Sequence, residues 1–209
     1  MSWRAWWCWS SSIGPTRSGG ESRITGDPEL TPEGRHGLLT VARTALERAL
    51  RRGLPVSLNL PDIRRGAFVT LRIGEDLRGC LGHVNDDRAL GELIPGLAVA
   101  AARDDPRFPP LSPEELDRVR IEISVLTTPQ VVDPADPAAI VIGRDGLMVE
   151  RGSARGLLLP QVGPEQGWGP AEFLAATCEK AGLPRTAWRE PGTRVLTFQA
   201  DVFEEDHQE

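Results

Sequence analysis

Ala67-Phe68-Val69-Thr70-Leu71-Arg72-Ile73, then Gly74-Glu75-Asp76, then Leu77-Arg78-Gly79-Cys80-Leu81-Gly82-His83: on this stretch the fold of the 209-residue chain turns. Ala67, Val69, Leu71 and Ile73 alternate with Phe68, Thr70 and Arg72, and a period of two sends each set to its own face of a strand. The Gly-Glu-Asp cluster supplies a turn into the second segment. Further along, Val119, Ile121, Ile123 and Val125 alternate with Arg120, Glu122 and Ser124 as a second clear strand. Residues 146 to 150 and 155 to 159 flank Arg151-Gly152-Ser153-Ala154 and read as a hairpin. Residues 193 to 203 read as one closing strand, with Leu196, Phe198, Ala200 and Val202 on one side.

Helical periods stand between these strands. Thr31 can cap and Pro32 suits the first helical position; Leu38, Leu39, Ala42, Ala45, Leu46, Ala49 and Leu50 then trace one face until Gly53. Leu90, Leu93, Ile94, Leu97 and Ala101 mark a helix between about 87 and 103, where Pro95, costing about 3 kcal/mol in an unkinked interior, predicts a kink or a restart. Ser112-Pro113-Glu114-Glu115 has the capping-box pattern and predicts a short helix. Residues 129 to 139 hold three prolines and read as a linker, and Pro170 to Gly182 brackets a last helix with Phe173, Leu174, Thr177, Cys178 and Ala181 on one face. Helices and strands mixed without strict alternation, with a hairpin among them, predict an α+β fold whose sheet is mainly antiparallel with flanking helices.

Hydrophobic residues make up 40% and charged residues 26%, the balance of a soluble globular chain. No stretch approaches the roughly 18 to 20 apolar residues of a membrane-spanning helix. The net charge of -6 argues against non-specific nucleic-acid binding by counterion release, although the Arg51-Arg52 and Arg64-Arg65 doublets leave a local patch open. Cys8, Cys80 and Cys178, at no metal-like spacing and without an export signal, point to a reducing compartment, with the cytoplasm as the default. Residues 1 to 28, with four of the six tryptophans, read as a disordered extension, and residues 206 to 209 as a tail.

The candidate for chemistry is Cys80, between Gly79 and Gly82, with Arg78 two residues before it and His83 three after. A nearby cation favours the thiolate, the reactive form. Glycines permit close approach of another molecule to the backbone. In a regular strand Arg78 and Cys80 share a face and His83 takes the other, so a Cys-His pair requires the chain to bend. The alternative is a buried thiol that packs as a small hydrophobe. A second constellation is polar: Thr70 and Arg72 on one strand, Glu122 and Ser124 on another. If the strands adjoin, Arg72 can bind an anion and Glu122 act as a candidate base or acid, the alternative being an ordinary solvated face with a cross-strand ion pair. A single C-x-x-H pair supplies too few ligands for a metal, and no phosphate or dinucleotide motif is present, so no metal or cofactor is expected.

Five motifs stand in order: Leu77-Arg78-Gly79-Cys80-Leu81-Gly82; Asp105-Pro106-Arg107-Phe108-Pro109-Pro110-Leu111; Gly143-Arg144-Asp145-Gly146-Leu147; Arg155-Gly156-Leu157-Leu158-Leu159-Pro160-Gln161-Val162; and Phe173-Leu174 with Cys178-Glu179-Lys180-Ala181-Gly182-Leu183. Together they resemble the AMMECR family over about residues 30 to 203. Leu81 stands where the family usually has Ile, and Pro95 is a larger departure. The resemblance implies one domain, residues 29 to 205, with a larger and a smaller subdomain. It also implies a setting, because prokaryotic members look like protein A of the AmmeMemoRadiSam set, beside a Memo-like protein and a radical SAM enzyme. The carry-over points to Arg78, Gly79, Cys80 and Gly82 without assigning roles. Three functional readings follow: an accessory or substrate-handling component of such a pathway that uses Cys80 as a nucleophile or redox thiol; a non-catalytic module binding a protein partner or a small ligand; and a nucleic-acid-associated factor.

Overall fold

The computed structural model describes residues 30–51, 58, 60, 62–84, 87–136 and 139–206, so the extension over residues 1 to 28, Gly53, and residues 207 to 209 of the expected tail lie outside the described residues. The fold is α+β and, over the described residues, resolves into two units, one running from residue 30 to 125 and again from 202 to 206, the other from 126 to 201.

In the first unit, α1 (Pro32–Arg51) buries Gly34, Gly37, Leu38, Val41, Ala42 and Leu46 along one stripe. The Thr31 hydroxyl accepts the Gly34 N–H at 3.2 Å, which is the cap expected from the sequence. Strands β1 (Ala67–Ile73) and β2 (Asp76–His83) form an antiparallel hairpin through Gly74, whose φ of 61° suits glycine. Helix α2 (Leu90–Arg103) runs through Pro95 without a restart. Proline there removes only the bond that an N–H at 95 would give the Gly91 carbonyl near the helix start, while seven buried side chains from Leu90 to Ala102 hold the helix to the core. Strand β3 (Val119–Leu126) pairs antiparallel with β1, and the sheet order is β2-β1-β3-β8, with β8 at Ala200–Glu204. Ala67, Val69, Leu71, Ile121, Ile123 and Val125 form one sheet face and share a core with α1 and α2.

Residues 113 to 118 make a run of turns rather than the expected short helix. The capping pattern is still used, since the Glu115 carboxylate accepts the Ser112 N–H at 2.9 Å. No helix continues because that carboxylate is held by an arginine from β2 and strand β3 begins at Val119.

The second unit is a four-stranded sheet ordered β4-β7-β5-β6. Strands β5 (Gly146–Arg151) and β6 (Ala154–Leu158) are the expected hairpin. Strand β4 (Gln130–Val132) lies inside the stretch read as a linker; three residues pairing with β7 (Arg194–Phe198) carry too short a pattern to show among prolines. The single strand expected over 193 to 203 divides, with β7 in this sheet and β8 in the other. At the division the Thr127 N–H donates to the Gln199 carbonyl and the Gln199 N–H to Thr127 Oγ1, both at 2.8 Å. Helices α3 (Val162–Gln166) and α4 (Pro170–Lys180) complete the unit with a 3-10 turn at Ala187–Arg189. Gly156 lets β6 meet the end of α4, for a Cβ there would stand 2.3 Å from the Ala181 nitrogen.

Candidate functional site

Register sorts the candidate residues. Opposite Thr70 stand Cys80 on β2 and Glu122 on β3, while Phe68 faces Gly82 and Ser124, and Arg72 faces Arg120. Because side chains alternate, Cys80, Thr70, Glu122, Arg72 and Ser124 share the sheet face turned away from α1 and α2. Of the candidates, Cys80, Glu122, Arg72 and Ser124 are therefore brought together. His83 pairs with Ala67 and stands on the other face, exposed, so register forms no Cys-His pair.

The two glycines are accounted for by the protein's own packing. A Cβ on Gly79 would lie 2.2 Å from the Ala101 carbonyl oxygen of α2, and one on Gly82 would lie 2.3 Å from the Phe68 ring. The close approach that these glycines permit is made by α2 and by Phe68.

Arg78 is the additional residue of a β-bulge, since Leu71 pairs with Gly79 and Arg72 with Leu77. The bulge directs its guanidinium to the segment before β3. Nε and Nη2 donate to the two Glu115 carboxylate oxygens at 2.8 and 3.0 Å, and Nη1 to the Pro109 carbonyl at 2.9 Å. The Arg78 hydrogen bonds, with the Ser112 N–H behind them, bring the Glu115 carboxyl down to about 2. Arg78 is thus engaged with the protein and not with the Cys80 thiol.

Cys80 itself is 2% exposed. The Thr70 hydroxyl donates to its sulfur at 3.4 Å, and its N–H donates to Asp105 Oδ2 at 2.9 Å. Burial opposes ionisation of Asp105, but three bonds from Arg107 and the one from Cys80 outweigh it and hold the carboxyl below its ordinary range. Arg107 also reaches the Cys80 carbonyl at 3.5 Å and lies over the Phe108 ring, 5.3 Å from its centre. Strand β2 is a sheet edge, so the Asp105-Arg107 pair satisfies outward backbone groups that an edge otherwise leaves open. Asp105, Arg107 and Glu115 were not singled out from the sequence. Asp105 and Arg107 lie in one of the five motifs and Glu115 in the capping pattern that follows it, but their pairing with β2 spans 25 to 37 residues and leaves no local period.

Glu122 differs from these carboxylates. Its side chain is 20% exposed, and its nearest cationic atom is Arg72 Nε at 3.9 Å, beyond hydrogen-bond distance. Burial raises its pKa; Arg72 and Arg120 act against the rise and Glu204 adds to it.

The second unit repeats the Asp-Arg device. Asp145 is buried and accepts the Val141 N–H at 2.8 Å and two bonds from Arg144, also at 2.8 Å. Burial opposes its ionisation, and these bonds lower its pKa overall. Cys178 is a buried free thiol raised by burial, with the Trp188 N–H acting the other way. Among the described residues no three His, Cys, Asp or Glu side chains gather to hold a metal ion, and no helix is long and apolar enough to cross a membrane.

The AMMECR1 family model matches residues 39–203. A protein of Methanothermobacter thermautotrophicus is 51% identical over 188 residues, covering 86% of this chain and 97% of its own length. Protein TK0174 of Thermococcus kodakarensis is 49% identical over 152 residues, covering 69% and 74%. The crystal structure of uncharacterized protein PH0010 from Pyrococcus horikoshii superimposes with a TM-score of 0.75 at 39% identity, covering 85% of this chain and 94% of that one.

Proposed function

The chain belongs to the AMMECR1 family, and from that premise we propose that it is an accessory, substrate-handling component of an AmmeMemoRadiSam-type modification pathway, acting with a radical SAM enzyme and a Memo-like protein. One observation supports the reading most: Cys80, Thr70 and Glu122 stand in register on three adjacent strands, a thiol, a hydroxyl and a carboxyl side by side on one face. Adjacent cross-strand pairs lie about 5 Å apart at Cβ, within reach of one small molecule. Arg72 and Ser124 extend the row. In this reading the thiol is the nucleophile, Thr70 holds it, Glu122 exchanges the proton, and Arg72 orients an acidic group of the substrate.

The test is co-expression of this chain with the two partner proteins, with native mass spectrometry of the assembly and analysis of the modified product. Cys80→Ser and Glu122→Gln are expected to preserve the assembly and to abolish or sharply lower product. Normal product from both variants would end the catalytic reading, and a monodisperse chain that captures neither partner would end the accessory one.

A second reading, a non-catalytic binding module, draws on the 2% exposure of Cys80 and on the engagement of Arg78 by Glu115. It expects iodoacetamide to label Cys80 only as fast as the fold opens, with or without the partners. Labelling that accelerates when the partners bind favours the thiol reading.

A further inference from the structure

Carboxylates buried in a fold ordinarily collect hydrogen bonds, because an ionised group without them loses its hydration for nothing. This molecule follows that rule at four places. Asp105 is bonded by Cys80 and Arg107, Asp145 by Val141, Arg144 and Gln199, Glu115 by Arg78 and Ser112, and Glu205 by Arg43 and the Ile121 N–H. Glu122 breaks it. Among the described residues its carboxyl makes no hydrogen bond, and its one ion pair is the 3.9 Å approach of Arg72, although both side chains are 20% exposed. Arg72 is similarly underused: its closest acceptor is the Glu75 carbonyl at 3.4 Å from Nη1. Two groups with unspent bonding capacity therefore stand on adjacent strands, Glu122 opposite Thr70 and Arg72 further along β1 on the same face.

We propose that Glu122 and Arg72 bind a small oxyacid anion, seated on the Arg72 guanidinium and receiving a hydrogen bond from the protonated Glu122 carboxyl. The charges facing Glu122 set the sign of the ligand. Arg72 comes from β1, Arg120 from β3 and Glu204 from β8, with the Cys80 thiol one strand beyond Thr70. When Glu122 takes a proton from water, Arg120 keeps Glu204 at 3.4 Å while the Arg72 guanidinium loses its one carboxylate partner among the described residues, and one negative charge completes the balance. A cationic ligand would be repelled by Arg72. A carboxylic acid beside a carboxylate is also a good geometric pair, one O–H shared between two acceptors. Burial, which already disfavours the charged form of Glu122, helps it to hold that proton.

This inference relies on the proposed function only in taking the same face as the substrate's, and its test uses the chain alone. Acetate and sulfate are titrated into the full-length protein, with amide shifts of residues 70 to 72 and 120 to 124 followed by NMR between pH 5 and 8. Sulfate keeps its charge over that range, so any pH dependence belongs to the protein; the stronger binder of the two tells a planar from a tetrahedral oxyanion. Saturable binding is expected that weakens about tenfold per pH unit once Glu122 ionises. Glu122→Gln should bind with no such slope, and Arg72→Lys should bind more weakly than the native chain by about tenfold. Absent binding, binding insensitive to pH, or an unchanged slope in Glu122→Gln overturns the proposal. Those outcomes leave the partner assembly and its product untouched, so the two readings fail separately.

Discussion

Replacing Arg78 and Glu115, singly and together, asks whether the family motif on β2 is a fold clamp. The pair is bidentate at 2.8 and 3.0 Å, with side chains 13% and 27% exposed. Glu115 is lowered from 4.5 to about 2, which corresponds to a ceiling of roughly 3 kcal/mol favouring the ionised form in the folded state. The Ser112 N–H supplies part of it and solvent screens some of the remainder, leaving a coupling with Arg78 of about 1.5 to 2.5 kcal/mol. Arg78→Met alone should cost more, about 3 kcal/mol, because the Pro109 and Pro110 carbonyls also lose a donor. Urea unfolding of native, Arg78→Met, Glu115→Gln and the double variant, followed by far-ultraviolet circular dichroism, measures the cycle at pH 7 and at pH 3. A carboxyl that is a stronger acid in the fold stabilises fully above its unfolded pKa, near 4.5, and loses that contribution as pH falls toward 2. By pH 3 roughly half or more of the Glu115 contribution should be gone, and Glu115→Gln should lack that part of the loss. A coupling below about 0.5 kcal/mol at pH 7, or one of equal size at pH 3, refutes the clamp.

Three further outcomes follow from the same geometry. Gly79→Ala should destabilise by at least about 1 to 3 kcal/mol in thermal or urea unfolding, since the opposing Ala101 oxygen is backbone and cannot swing aside; an unchanged midpoint would show that β2 and α2 are not in contact. Asp105→Asn and Asp145→Asn should each destabilise by about 2 kcal/mol or more at pH 7, measured by hydrogen exchange of the 78–83 and 141–147 amides respectively. Both aspartates are lowered in the fold, so their contribution is present above about pH 4 and fades below it, and the variants should lose that part of the acid sensitivity. Glu122→Gln has the opposite sign: its raised pKa means that ionisation costs stability as pH rises past the ordinary value, so the amide should match or exceed native stability at pH 7, and a clear loss would contradict the account of this residue.

What the sequence carried and what it did not divide by range. The alternation in Ala67–Ile73 and Val119–Leu126 reports which side chains lie together on a face, and both strands form with the expected faces. It does not report which strand neighbours which, and the joining of Cys80 to Glu122 depends on that alone. The bulge at Arg78 escapes pattern reading for a related reason: one additional residue shifts the period by one, and only the partner strand reveals where. The division of residues 193 to 203 at Gln199 is invisible because the alternation continues across it; two hydrogen bonds to Thr127, 72 residues earlier, mark the point. At Ser112 the local rule named the right chemistry and the wrong outcome, because capture of Glu115 outweighed the preference of the backbone, while at Pro95 the packing of α2 carries the helix on without a restart.

The motif residues that attract attention first are therefore the ones whose chemistry the fold consumes. Arg78 is spent on Glu115, the glycines on α2 and Phe68, and Asp105 and Arg107 on the edge of β2. Such residues tolerate little change whether or not they touch a substrate, so sensitivity to substitution there cannot identify a site. The informative position is one whose bonds are unfinished. Glu122 lies outside all five motifs, carries no hydrogen bond among the described residues, and is held toward neutrality by its burial. A fold that leaves a partly buried carboxyl in that condition forgoes stability there, and the return is sought in what the carboxyl binds.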